Sequence, residues 1–227
     1  MDNLICFLPC RKGSERVLNK NTKPFANNKS GLIEIKLKQL INVTAFDKIV
    51  VSTDDQCIID IALSLNHEKI FIDRRPKSLA TSETTTDSLI KYVAKILNCK
   101  HILWTHVTSP FIDENYYNKA IEIYRSNQGS FDSLMSVTNQ SKFLWSEDAP
   151  INYDRSIEKW PRTQTLKPIY EINSGIFISS LKNYYKFEDR IGLKPFMFEL
   201  PHNIAFDIDW PIDFKIAEIM WELENHV

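Results

Sequence analysis

The chain has 227 residues, 43% of them hydrophobic and 25% charged, so it can bury the core of one large domain; disorder, collagen-like repetition and a membrane-embedded chain are excluded. Its 28 basic and 29 acidic side chains leave a formal net charge of −1, and no Lys/Arg block is long enough to track a nucleic-acid backbone. Any anion site must therefore be local.

In chain order, Leu4 to Pro9 is a short continuous apolar run, as expected of a strand buried on both faces of a parallel sheet. A polar loop, Cys10 to Asn28, leads to a helix over Leu32 to Ile41, where Ile33, Leu37, Leu40 and Ile41 fall at helical spacing. A strand is predicted at Lys48 to Ser52. The acids of Thr53-Asp54-Asp55 then open a helix whose apolar face is Ile58, Ile59, Ala62 and Leu65. Strands at Ile70 to Asp73, His101 to Thr105 and Ser133 to Val137 alternate with helices at Thr85 to Leu97 and Glu114 to Tyr124, which is the rhythm of an α/β fold. Between Thr138 and Pro168 the alternation fails, and this segment reads as an excursion from the sheet. Strands return at Ile172 to Ser179 and Phe196 to Leu200. The Asn173-Ser174-Gly175 sequence reads as a turn onto the first of these. A helix over Ile212 to Glu224 follows Asp207-Ile208-Asp209-Trp210-Pro211, with Pro211 near its first turn. Neither an internal repeat nor a domain linker interrupts residues 1–227.

The four cysteines form neither a CxxC pair nor a Cys/His ligand spacing, and the run from Leu4 to Leu8 is too short for a membrane span or a signal core. Both features predict a reduced, cytoplasmic protein. The five glycines, scarce against a usual ~7% of residues, argue against a glycine-rich phosphate cradle.

Ligands in open α/β sheets bind beyond the carboxyl ends of the strands. The first such loop, Pro9 to Asn21, carries four basic residues with Gly13 beside Ser14, and can offer Arg, Lys and backbone donors to a polyphosphate; it also fits a solvated basic loop. It lacks the spacing of a P-loop. Asp207 and Asp209 alternate on an extended segment, so both carboxylates can face one hard cation, although two acids before a helix also suit capping. The threonines at 84–86 read as an N-cap to the helix that follows. Asp54 and Asp55 read as mainly structural, and Asp213 as a helix-start acid.

The order of residues adds more. PCRKGSERVLNKN resembles the phosphate loop of the acylneuraminate cytidylyltransferases, the CMP-sialic acid synthetase family. FDKIVVSTDD, RRPKSLATSETTTDS, VTSP, PRTQTLKPIYEINSGIFI and FDIDWPIDF match the same family in the same order, from about Ile5 to Ala217. The resemblance implies a Rossmann-like three-layer α/β fold with a mainly parallel sheet, residues 138–168 forming a small dimerisation excursion. It implies transfer of CMP from CTP to a 2-keto sugar acid, with release of pyrophosphate, for surface glycan synthesis by a homodimer. Arg11, Gly13, Ser14, Lys20 and Asn21 fall at phosphate-loop positions, and Arg75, Thr84 and Thr86 at base and ribose positions. Asp207 and Asp209 match the Mg²⁺-holding pair, and Arg11, Lys20 and Asp209 are the catalytic candidates. His106, Arg162, Gln164 and Phe177 match sugar-facing positions, with Arg162 as the partner for the sugar carboxylate.

The chain departs from the family pattern mainly on the sugar side. His106 replaces a glutamine, Phe111-Ile112 replaces Leu-Arg, Phe177 replaces a tyrosine, and a lysine of the excursion is replaced near Trp145; Glu15 replaces a lysine of the phosphate loop. These changes point away from N-acetylneuraminate toward a 5,7-diamino nonulosonate or another 2-keto acid. The alternatives are transfer to a different 2-keto acid such as Kdo and a non-catalytic nucleotide-binding relative. A glycosyltransferase fits less well, because its Asp-x-Asp normally lies mid-chain.

Overall fold

The computed structural model describes residues 3–225. Seven strands and six α-helices run in the order β1 Leu4–Cys10, α1 Gly31–Asn42, β2 Lys48–Thr53, α2 Gln56–Ser64, β3 Ile70–Arg74, α3 Thr86–Ile96, β4 His101–Trp104, α4 Glu114–Ser126, β5 Ser133–Asn139, β6 Tyr170–Ser180, α5 Leu181–Phe187, β7 Pro195–Glu199 and α6 Pro211–Asn225. They build one sheet of order β3-β2-β1-β4-β6-β5-β7, in which β6 runs antiparallel to both of its neighbours and the other pairings are parallel. The α/β expectation and its mainly parallel sheet hold.

The residues of β1 explain the layering. Leu4, Cys6 and Leu8 join the core beneath α1, α2, α4 and α6, whereas Ile5 and Phe7 join a second core beneath α3 and α5. Alternating side chains of one strand thus face opposite helical layers, and every residue from Leu4 to Leu8 is 4% exposed or less. Burial of a Leu, Ile or Phe side chain is worth roughly 1.5–3 kcal/mol, so this strand holds both layers to the sheet. Helix starts are fixed locally: Asp55, Thr85, Asp113 and Ser180 each accept a backbone N–H of the helix that follows.

Helix α5 is not legible in the sequence; its seven residues, LKNYYKF, are too few to display a helical period. The turn expected at Gly175 is corrected as well. Gly175 lies inside β6, where a Cβ would stand 2.3 Å from the Ile112 side chain, so close packing explains this glycine. Gly31 has another reason: at φ +71° its Cβ would meet the Lys23 carbonyl oxygen at 2.2 Å, and this left-handed position lets the first loop pass directly into α1.

Between β5 and β6 the chain forms an isolated bridge, Trp145 with Pro150, and a short 3-10 turn, Thr163–Thr165. Phe143 packs edge-on against both Tyr153 and Trp160, and buried Asn152 bonds Leu144 N and Lys142 O. The segment is folded on itself, yet Trp145, Ile157 and Trp160 remain 50%, 85% and 73% exposed.

Candidate active site

β1 and β4 are neighbours, but from β1 the chain runs through α1 to β2 on one side and from β4 through α4 to β5 on the other, and this divergence opens the crevice where an α/β sheet binds ligands. From β1 the loop folds over this crevice. Lys12 N donates to Asp54 Oδ1 at 2.8 Å, tying the loop to the end of β2. Arg11 Nη1 donates to Gly13 O at 3.0 Å, and Gly13 adopts φ +76° with open space around it; its glycine character serves the bend of the loop. Asn19, also left-handed at φ 53°, accepts from Thr22 N and Lys23 N.

Two cavities adjoin. One, of about 310 Å³, is walled by Arg11, Ser14, Lys20 and Asn21 of the first loop and by His106 and Thr108 of the β4 loop. The other, of about 480 Å³, is walled by Thr138, Glu171, Asn173, His202, Trp210 and Asp213. Ser174, Asp207 and Asp209 line both. Cys10 also lines the smaller cavity, but burial pushes its thiol up to about 12, so it is an unreactive wall.

The acidic segment is built into this junction. Ile208 N donates to Thr108 O at 3.0 Å, and Lys20 Nζ donates to Ile208 O at 2.5 Å. Asp209 lies 3.3 Å from Arg16 Nη1 and 3.7 Å from Lys20 Nζ, with the Arg16 guanidinium 4.6 Å above the Trp210 ring. Asp213 Oδ2 accepts from Asp209 N and Trp210 N at 3.1 and 2.7 Å, the helix-start role expected of it. Burial lowers the pKa of Lys20, with Asp209 and Asp207 opposing the shift. Burial raises the pKa of Asp207, against the pull of the Thr108 hydroxyl.

Among the described residues, Asp207 Oδ1 is buried without a hydrogen-bond partner. An orphaned carboxylate oxygen beside a second carboxylate is an oxygen donor set that fits a hard divalent cation. Among the described residues no group of three His, Cys, Asp or Glu side chains is arranged to hold a metal. A cation at this pair would therefore need further oxygens from substrate or water, which is how Mg²⁺ is commonly held.

The structure brings Arg11, Ser14, Lys20, Asn21, His106, Asp207 and Asp209 to one place. Arg75 lies behind it, 5% exposed, and donates to Ser52 Oγ and the Ser52 carbonyl at 3.1 and 2.5 Å. Thr84 and Thr86 line neither cavity; Thr85 between them caps α3, with its hydroxyl accepting from Ser88 N at 3.1 Å. Arg162 is exposed just before the 3-10 turn, and Gln164 lines a separate cavity with Asn139 and Lys167. Phe177 does not reach the cleft: it is 1% exposed on β6, beneath the Arg190 guanidinium. Sequence reasoning missed Ser174 as a cleft residue and Arg190 entirely. Arg190 follows the unforeseen α5 and belongs to none of the matched segments.

A family profile described as Cytidylyltransferase matches residues 5–226. The chain is 29% identical to a pseudaminic acid cytidylyltransferase of Campylobacter jejuni, over 100% of this chain and 98% of that protein. It is 26% identical to a CMP-N,N'-diacetyllegionaminic acid synthase of Legionella pneumophila, over 98% and 97% of the two chains. A solved 4-diphosphocytidyl-2C-methyl-D-erythritol synthase from Anaerococcus prevotii shares the fold with a TM-score of 0.72 at 15% identity, covering 97% of this chain and 96% of the other.

Proposed function

The chain belongs to the cytidylyltransferase family, and from that premise we propose that it transfers CMP from CTP to the anomeric hydroxyl of a nonulosonic acid, releasing pyrophosphate. One observation carries the reading: a cavity walled by the basic first loop meets a second polar cavity at Asp207 and Asp209. CTP fits along the basic loop of the first, with Arg11, Lys20, Ser14 and Asn21 around its phosphates, and the acid sugar fits the second and reaches across Asp207 and Asp209 to the His106 wall of the first. Attack on the α-phosphorus leaves charge on the departing pyrophosphate, and fixed cations aimed at that charge lower the barrier. Arg11 and Lys20 are such cations. Asp207 and Asp209 are the residues that would hold Mg²⁺, which supplies further charge neutralisation at the phosphates.

The relatives named for pseudaminic and N,N'-diacetyllegionaminic acid, together with histidine at position 106, support an acceptor other than N-acetylneuraminate. Pyrophosphate release over a panel of nonulosonates and Kdo tests this. Release is expected only with CTP, a nonulosonate and Mg²⁺ together; release with Kdo alone, or with no acid sugar at all, contradicts it.

The same reading includes a homodimer formed through 138–168, which buries the exposed Trp145, Ile157 and Trp160 and carries Arg162 toward the partner's acid-sugar cavity. Trp160→Arg is expected to weaken the dimer about 30-fold, as for an interface anchor worth ~2 kcal/mol, and to lower turnover with it. Sedimentation of the unaltered protein as a monomer at micromolar concentration contradicts the dimer.

A further inference from the structure

His106 lies two residues beyond Trp104 and lines the cleft. Its Nε2 has two neighbours, the Trp104 indole Nε1 at 3.0 Å and Arg190 Nη1 at 3.3 Å. Both can only donate: an indole nitrogen and a guanidinium offer no lone pair. Nε2 therefore accepts, and the ring proton sits on Nδ1. No protein group is bonded to Nδ1 among the described residues, so this is the nitrogen left for a ligand.

Arg190 is held for this contact. Its guanidinium lies 3.6 Å from the Phe177 ring centroid and 5.2 Å from that of Trp104, and burial lowers its pKa. It makes no ion pair among the described residues. A largely buried guanidinium without a carboxylate is costly, and the polar side chain it reaches is His106. The charged groups that bear on His106 are Arg190, Lys20 and Arg75, and burial together with these cations pushes its pKa down to about 3. Protonation at neutral pH therefore does not disturb the arrangement.

We propose that Arg190 and Trp104 are positioning residues that lock His106 in the Nδ1–H tautomer, making it a neutral donor to an oxygen lone pair of the acid sugar. This deepens the nonulosonate reading and rests on it. A ring so fixed can donate but not accept at its free nitrogen, so it selects hydroxyl, carbonyl or amide oxygen on the acceptor and disfavours an ammonium or N–H at that point.

The tautomer is read directly from two-bond ¹H–¹⁵N correlation spectra of the ligand-free protein labelled in histidine. A protonated Nδ1 and a lone-pair Nε2 at His106, unchanged from pH 5 to 8, are expected; a protonated Nε2 overturns the proposal. Arg190→Met is expected to leave the ring held by Trp104 alone, loosening it and raising KM for the nonulosonate about tenfold, the scale of one lost hydrogen bond, with KM for CTP unchanged. Arg190→Lys should recover part of that loss. An unchanged KM for the acid sugar, or a rise confined to CTP, overturns the assignment. If Arg190→Met fails to fold, Trp104→Phe removes the other donor and is judged by the same outcomes. Absence of turnover with every nonulosonate, beside a protonated Nδ1, overturns the acceptor reading and with it the sugar half of the proposal, while the tautomer stands.

Discussion

Replacing Asp207 by asparagine is expected to remove turnover and raise the melting temperature in the same variant. One oxygen of this carboxylate is buried without a partner among the described residues, and burial raises the carboxyl pKa. The sign follows from linkage. A carboxyl whose folded pKa lies above its unfolded value binds more protons when folded, so the folded state loses stability as pH rises through that window. The cost is fully present in the wild type at pH values above that window. The asparagine side chain has nearly the same shape without the charge, so Asp207→Asn should gain about 1 kcal/mol, or about 2–4 °C in a chain of this size. Turnover should fall about 10³-fold, because an amide cannot replace a carboxylate toward a hard cation that supplies several kcal/mol of charge stabilisation. Thermal denaturation beside a pyrophosphate-release assay checks both halves; a variant less stable than the wild type, or equally active, contradicts the assignment. Asp209→Ala should also remove turnover while sparing the fold, but with no gain in stability. Asp209 is half-exposed and already paired with Arg16 and Lys20, which its removal would leave facing each other.

The second large effect lies in the core. Lys36 is wholly buried on α1, and Nζ donates to Ile112 O at 2.8 Å and to Tyr117 OH at 3.0 Å. Tyr117 OH is bonded in turn to Thr105 Oγ1 at 2.8 Å. The amine thus braces the loop from Thr105 to Ile112 that carries His106 and Thr108, and the Ile112 side chain fills the space a Cβ on Gly175 would need. Burial pushes Lys36 down to about 7 from the ordinary 10.5. Between those values the unfolded chain binds a proton that the folded chain does not, so unfolding free energy rises with pH. Relative to Lys36→Met, the wild type is expected to gain stability at up to ~1.4 kcal/mol per pH unit through that window. Urea titrations of both proteins at several pH values measure the slope; parallel pH profiles would contradict a neutral buried amine. Lys36→Met should also lose a constant ~1–3 kcal/mol, because Ile112 O keeps no donor from this side chain.

The parts of the fold legible in the sequence are those dictated by local pattern. β1, β2 and β4 are buried on both faces, so each reads as a continuous apolar run. The antiparallel direction of β6 is set by which strands it pairs with, and nothing in its own residues records that choice. Gly175 reads as a turn because glycine serves bends and close packing alike, and only the position of Ile112 distinguishes them. Lys36 stands at helical spacing between Ile33 and Leu40, a signal of burial that its charge obscures.

The site divides in the same way. Arg11, Ser14, Lys20, Asn21, Asp207 and Asp209 lie in matched segments and come together because the segment after β7 returns across the strand ends, where Ile208 bonds Thr108 of the β4 loop and Lys20 of the β1 loop. The tautomer of His106 depends on Arg190, 84 residues away, and leaves no sequence signal. Arg162 and Gln164 match the family pattern yet lie off the cleft of their own chain, because the 138–168 segment projects from the sheet.

The pair Asp207 and Asp209 is most directly tested by binding rather than turnover. Mn²⁺, in place of Mg²⁺, can be titrated into the protein with CTP present while the signal of free Mn²⁺ is followed by electron paramagnetic resonance. The wild type is expected to take up Mn²⁺ beyond what CTP alone binds, and both Asp207→Asn and Asp209→Asn to lose that uptake while still binding CTP. Equal Mn²⁺ uptake by the wild type and the two variants would contradict a metal held at the junction of the two cavities.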